Sequence, residues 1–460
     1  MVADYQSMQW HEHNDPEKTE DMTEETSSAK ELADLEDVDV KIDEVVPDDT
    51  WNAVAWIILL NGIGVLLPWN MFITIAPQYY VDYWFTVNGT ETHYGTSFMS
   101  ALGIVSQIPN FLVACINVLN LIRGPVMYRI VGPLTANCLL VGVILSLVIF
   151  QQPSDSARGW FYVVSLIIVM TMNATNGLYQ NSFFGLVADF PAKYTNAVVV
   201  GTNVSGTFTS LLSIISIAAF NNNPKTVALM YFSISLGVLF VCMVSLWLVS
   251  KQKFFQYYVK KGAVARLKEN VQKFDIRMYW ETVKHCYMQL LSVFLVYFVT
   301  LSVFPTILVG FEPTKSDGTW NSVIPNQYYT GVTTFLNFNF FAAVGSTTAS
   351  FIQFPGPKLL IIPVALRLLF IPFFMLSNYL PNSRVMPVWY SNEWIFFFGN
   401  TIMAFTSGYF SSLGMMYAPR VCPPHLSKLA GQIAALCLVT GIMCGVAFTP
   451  LITTMVQNIK

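Results

Sequence analysis

From Thr50 to Lys460 the chain is a succession of apolar runs, and only Arg367 places a charge near the middle of one. A hydrocarbon core requires every backbone N–H and C=O to be satisfied internally, and runs of about 20 apolar residues achieve that as helices. The sequence therefore reads as an all-α polytopic membrane protein. Eleven transmembrane helices are expected, over 52–75, 96–121, 130–150, 159–182, 195–220, 226–249, 285–309, 328–353, 358–379, 391–417 and 428–455. Pro450 interrupts the last. The basic stretch 251–284, with nine Lys or Arg, divides them into six and five. The expected organisation is an acidic tail (1–50), a six-helix bundle (51–250), a basic cytoplasmic loop (251–284) and a five-helix bundle (285–460).

Charge is segregated. Residues 1–50 hold 17 of the 27 acids and only three lysines, with little apolar content and no helical stripe, so this tail is expected to be disordered. Within it, Ser28 to Glu31 reads either as a capping box or as an acidic-context phosphorylation site. The N-terminus shows no basic stretch followed by an apolar one, so the first span is expected to act as the signal. A cytoplasmic N-terminus puts 18 of the 24 Lys and Arg inside, and an odd number of spans puts the C-terminus outside. The sequon Asn88-Gly-Thr90 then lies in the first outside loop and reads as a glycosylation site, whereas those at Asn173 and Asn203 fall within spans. Such a chain is expected in the plasma membrane, reached by the secretory pathway.

Several functions find no residues. Seven cysteines occur without CxxC pairs, and five scattered histidines form no metal-binding motif, so no metal or cofactor is expected. His285-Cys286 is the only adjacent reactive pair, which argues against an enzyme. No repeated filter motif suggests a channel. The ten acids outside the tail sit in loops or at span ends, whereas proton-coupled carriers usually titrate a buried carboxylate. Passive movement of an uncharged solute is the simplest reading, with the lipid bilayer as the other partner and no role for nucleic acid.

Polar residues inside the spans are the candidates for a solute path. Gly64 and Pro68 are expected to loosen and kink the first span, and Trp69 offers a flat face for a ring. Gly103, Gln107, Asn110 and Asn117 share a face of the second, and Asn173, Asn176 and Gln180 recur along the fourth, beside Gly177. Asn339 and Ser346 share a face of the eighth, and the tenth adds Asn400. Amides donate and accept at once and suit the edge of a neutral heterocycle, though they also serve as glue between helices. Arg367 must face protein, where it either locks helices or contacts solute. Glycine pairs (Gly201 with Gly206, Gly441 with Gly445) permit close helix contacts.

Several stretches, taken in order, resemble the equilibrative nucleoside transporter family (solute carrier family 29). They are Gly64-Val-Leu66-Leu-Pro68-Trp69-Asn70, Tyr179-Gln180-Asn-Ser182-Phe-Phe184-Gly185, Pro191-Ala-Lys-Tyr194-Thr195, Phe338-Asn339, Arg367-Leu-Leu-Phe370-Ile-Pro372 and Ser407-Gly408-Tyr409. The resemblance implies a major-facilitator-like fold with six plus five helices around a central site. It implies alternating access without ion coupling, carrying nucleosides and sometimes nucleobases. By the same resemblance the pocket falls to Leu66, Trp69, Ile73, Gln107, Asn110, Gln180, Phe304, Asn339 and Ile442, with Gln180 bonding the base. Positions Gly64 and Gly201 also affect transport in the family.

The chain departs from that family at one pair. An aspartate and an arginine, thought to hold the sugar hydroxyls, typically follow the Phe-Asn of the eighth span; here the positions are Ala342 and Ser346. Losing both together leaves no orphan ion, but it removes contacts of on the order of 2–4 kcal/mol. Either the second-span amides replace them and nucleosides remain the cargo, or the cargo is a nucleobase or another small neutral solute.

Overall fold

The computed structural model describes residues 46–119, 125–219, 223–268, 276–312, 325–381 and 383–459. The acidic stretch with its Ser28–Glu31 box lies outside the described residues. Helix α1 (Ala53–Ile75) passes into a π-helical turn (Ala76–Trp84) and a short hairpin, β1 (Thr86–Val87) against β2 (Thr90–Glu91) with Thr86 opposite Glu91. Then come α2 (His93–Val118), α3 (Tyr128–Phe150), α4 (Asp155–Val187), α5 (Ala192–Ala219) and α6 (Pro224–Val249). Next are α7 (Lys253–Lys268), α8 (Ile276–Val303), α9 (Asn337–Phe351), α10 (Ile361–Leu366) and α11 (Phe370–Met375). The chain ends in α12 (Glu393–Arg420) and α13 (Ser427–Asn458). It is an all-α membrane protein.

Eight helical stretches among the described residues are long and apolar enough to cross a bilayer, rather than the eleven expected. They comprise the first six long helices, Ile276–Val309 and Pro424–Asn458. The other three expected spans are helical but differ in character. Helix α9 is preceded by a π-helical turn (Gly331–Leu336), and α10 and α11 are separated by a 3-10 turn at Arg367–Leu369. Helix α12 is long but punctuated by Asn400, Ser407, Gly408, Ser411 and Ser412, all buried.

Two expectations are corrected. The 251–284 stretch is not a loop, because α7 forms within it and α8 begins at Ile276. The cause is an aromatic face: Phe254 and Phe255 are buried, and their rings pack with Phe190 and Tyr194. Pro450, expected to interrupt the last span, likewise lies inside an unbroken helix; Pro68 lies within α1. Close neighbours and hydroxyls can re-satisfy a carbonyl freed by proline.

Packing follows sequence halves. Helix α1 lies against α5 and α6, and α4 against α2 and α3; α8 lies against α12 and α13, and α9 against α12. The halves meet along two seams, α2 and α4 against α13, and α5 against α9 and α12. Asp49 accepts from the Val54 and Ala55 amides, capping the entry to α1, and from the Tyr194 hydroxyl. The N-terminal entry therefore sits at the same end of the molecule as α7. At the other end, Arg384 donates to the carbonyls of Met375, Ser377, Tyr379, Met386 and Pro387 and gathers the 375–387 loop around itself.

Candidate functional site

Helix α4 carries the centre of the site. Gln180 is only 4% exposed, yet its amide bonds no protein group among the described residues. The Oδ1 atoms of Asn176 and Asn110 are also buried without a partner. Asn110 presses its carbonyl and side-chain oxygen against Gly177, where only a hydrogen leaves room, and this brings α2 beside the turn that holds Asn176 and Gln180. Gln107, one turn away on α2, is half-buried and also unbonded. A buried polar group without a partner costs roughly 1–3 kcal/mol, and several together mark a place for water or a polar ligand. Asn173 is less available, since its Nδ2 donates to the Val169 carbonyl of its own helix.

Directly beyond Gln180 the seam closes. Arg129 donates to Asn117 Oδ1, and Asn117 Nδ2 donates to Asn181 Oδ1 at 2.5 Å and to Ser182 Oγ at 3.1 Å. Asn181 Nδ2 then reaches the Gln432 carbonyl at 2.8 Å, crossing from α4 to α13. Arg129, expected among loop charges, is instead buried in the first turn of α3. The Asn117 oxygen compensates part of its desolvation, as burial of a charge requires.

The second seam is a ladder. On α5, Asn196, Asn203 and Ser210 recur every seven residues. Asn196 Nδ2 donates to the Ser346 carbonyl at 2.8 Å and to Ser350 Oγ at 2.7 Å. Asn203 Nδ2 reaches the Ala342 carbonyl at 3.5 Å, and Asn339 Nδ2 donates to Ser210 Oγ at 3.2 Å and to the Phe335 carbonyl. Asn339 is thus turned towards α5, against Gly206, and it does not hydrogen bond Gln180. Ala342 and Ser346 are 2% and 0% exposed, with the Ser346 hydroxyl bonded within its own helix.

Leu66, Trp69 and Ile73 lie along α1, half-buried against the core of the first half, and Ile442 of α13 joins the same cluster. The Trp69 ring stacks on no other ring among the described residues and packs against the buried apolar core around α1. Asn70, beside it, donates to Ser205 Oγ on α5. Phe304 stacks on Phe338 at 4.0 Å between centroids, at the break after α8. Gly64 lies against the Cys242 thiol and the Tyr179 hydroxyl, while Gly201 meets the Leu59 carbonyl and Gly62 where α5 crosses α1.

Arg367 is 2% exposed and forms no ion pair among the described residues. Its NH2 group donates to Thr300 Oγ1 at 2.7 Å, its NH1 group to Thr406 Oγ1 at 3.1 Å, and Thr300 in turn shares a hydrogen bond with Ser407. The guanidinium thereby ties α8 to α12 through hydroxyls. Arg129 and Arg367 are the only charged side chains buried among the described residues, and no Asp or Glu is.

The sequence reading singled out Gln107, Asn110 and Gln180, and the structure brings their helices together. It overlooked Asn196, Ser205 and Ser210, and it weighed Asn203 only as a sequon. The seven-residue recurrence on α5 was the available signal.

The family model described as nucleoside transporter matches residues 166–454. "Equilibrative nucleoside transporter 3" of Rattus norvegicus is 25% identical over 88% of this chain and 90% of its own length. "Equilibrative nucleoside transporter 2" of Homo sapiens is 27% identical over 88% of this chain and 97% of its own. Among solved structures, the human organic anion transporter MFSD10 (TETRAN) matches with a TM-score of 0.42 at 14% identity, covering 89% of this chain and 98% of that one. That likeness is too distant to order the helices by.

Proposed function

This chain belongs to the nucleoside transporter family, and on that premise we propose that it carries nucleosides passively across a membrane by alternating access. The unbonded amide of Gln180, on a residue only 4% exposed, is the observation that carries the reading. It lies on α4, which packs on both α2 and α13, so a ligand held there touches both halves. The base bonds Gln180, with Gln107 and Asn110 alongside, and its ring stacks near Trp69. Leu66, Ile73, Phe304 and Ile442 supply apolar walls. Residues 51–250 and 285–460 are the two bodies that rock, and Asn339 exchanges Ser210 for solute as they do. Burial of Arg129 and Arg367 without any buried acid among the described residues supports transport free of proton coupling.

Uptake of labelled adenosine and uridine into vesicles tests this. Saturable uptake is expected with no ion gradient, and Gln180→Ala should raise KM by roughly 5–100-fold, the equivalent of an unmatched buried donor or acceptor. Uptake abolished by collapsing a proton gradient, or untouched by Gln180→Ala, defeats the reading.

Nucleobases form a second class of cargo. With Ala342 and Ser346 packed away, and their carbonyls met by Asn203 and Asn196, that wall offers no charged group to a sugar. Competition by adenine and hypoxanthine as strong as by adenosine would identify the base alone as the recognised part. Positive-inside charge supports a cytoplasmic N-terminus; an odd number of spans would then put the C-terminus outside, and the Asn88 sequon supports a secretory route to the plasma membrane.

A further inference from the structure

Helix α7 is built with two faces. Its inner face is aromatic, with Phe254 against Tyr194 at 5.3 Å, and Phe255 and Tyr258 against Phe190 at 5.4 and 5.3 Å. Gly262 seats it closely on the Asp189 side chain. Its outer face is cationic: Lys253, Lys260 and Lys261 are exposed, as is Lys251 in the turn just before it, and the stretch from Lys251 to Lys268 holds six basic residues and no acid. Lys251 sits over the Trp247 ring at 3.3 Å, but none of these four lysines meets a carboxylate among the described residues.

The chain enters the structure beside this helix. The Asp49 carboxylate accepts from the Tyr194 hydroxyl at 2.8 Å, Lys193 donates to Asn52 Oδ1 at 3.1 Å, and the Tyr194 ring packs on Phe254. Residues 1–45, which precede this anchor, carry 15 acids against three lysines. A chain of that length spans ~35 Å even when coiled, and a 16-residue helix is ~24 Å long. Tethering also holds such a segment at an effective concentration in the millimolar range.

We propose that the acidic segment 1–45 docks on the lysine face of α7. The occupant is chosen by charge, by reach and by its point of entry one ring from the helix. The carboxylates of the segment neutralise the four lysines, and the interaction screens with salt as exposed ion pairs do.

Cross-linking of the full chain in phosphatidylcholine nanodiscs tests the proposal. A zero-length carbodiimide joins a carboxylate only to an amine in contact with it. Peptides joining residues 12–44 to Lys253, Lys260 or Lys261 are expected, with a yield at least about fivefold lower in 0.5 M salt, where the Debye length is about 4 Å. Replacing Glu17, Glu20, Asp21, Glu24 and Glu25 by their amides should lower the yield similarly, without altering a residue of the helical bundle. Cross-links confined to other lysines, or a yield indifferent to salt and to the amide replacements, overturn the proposal. Loss of the cross-links when a third of the lipid is phosphatidylserine also overturns it, because the lysine face then belongs to lipid headgroups. None of these readouts depends on the transported solute.

Discussion

Replacing Asn196 by alanine probes the ladder between α5 and α9 where it is tightest. Its rung is the shortest, at 2.8 and 2.7 Å, against 3.2 Å for Asn339 to Ser210 and 3.5 Å for Asn203 to the Ala342 carbonyl. Two neutral hydrogen bonds contribute about 1–3 kcal/mol. The middle of that range, about 2 kcal/mol, applies and not the top, because Ser350 is exposed and its hydroxyl can turn to water. Asn196 Oδ1 is buried without a partner when the seam is shut, which opposes closure by about 1 kcal/mol. The net is about 1 kcal/mol in favour of the closed seam, or roughly a fivefold change in the ratio of closed to open. Spin labels at Lys193→Cys and Phe354→Cys, both exposed at this end, report the separation of α5 from the end of α9. The half-buried Cys115, Cys138, Cys437 and Cys444 are replaced first. Pulsed dipolar spectroscopy should show the longer distance gaining about fivefold in Asn196→Ala. An unchanged distance distribution with a lowered unfolding temperature would show that the rung holds the fold and does not gate it.

Arg384→Ala should lower stability by about 3 kcal/mol, since charged hydrogen bonds contribute about 1.5–3 kcal/mol each and five such bonds to one group do not add. Arg384→Lys should recover little of it, because an ammonium cannot fork between five carbonyls; thermal unfolding in detergent reads both. Gly201→Val puts a side chain into the Leu59 carbonyl and Gly62, so α1 and α5 must separate, and loss of folded protein on size-exclusion chromatography is expected. Asn88 is exposed at the hairpin tip, and Asn88→Gln should abolish a glycosidase-sensitive mobility shift in a secretory host. Asn173→Gln should leave that shift unchanged.

Much of the architecture is legible because apolarity is a local property. Each expected span overlaps helix among the described residues, since about 20 apolar residues in lipid have few other options. What escaped was non-local. Helix α7 reads as a basic loop until Phe190 and Tyr194 are placed against its aromatic residues. Pro450 reads as an interruption of α13 only when that helix is considered alone. Of the site, the amides of α2 and α4 are visible as stripes on a helical wheel. The partners of Asn196 lie 150 residues away, so no window along the chain could reveal whether that amide faces solute or another helix. Ala342 and Ser346 are visible as substitutions, but their burial depends on α5 and α12 together.

Helices α9 and α12 exchange glycines. Gly345 rests on the Phe405 carbonyl and the Tyr409 amide, and Gly408 rests on the Ala342 carbonyl. Backbones that touch leave no side-chain layer to shear, and close-packed interiors transmit displacement. The two rods should travel as one stiff plank. A push on Asn339 at one edge of that plank is then felt by Thr406 at the other, and through Thr406 by Arg367 and the broken helix that bears it.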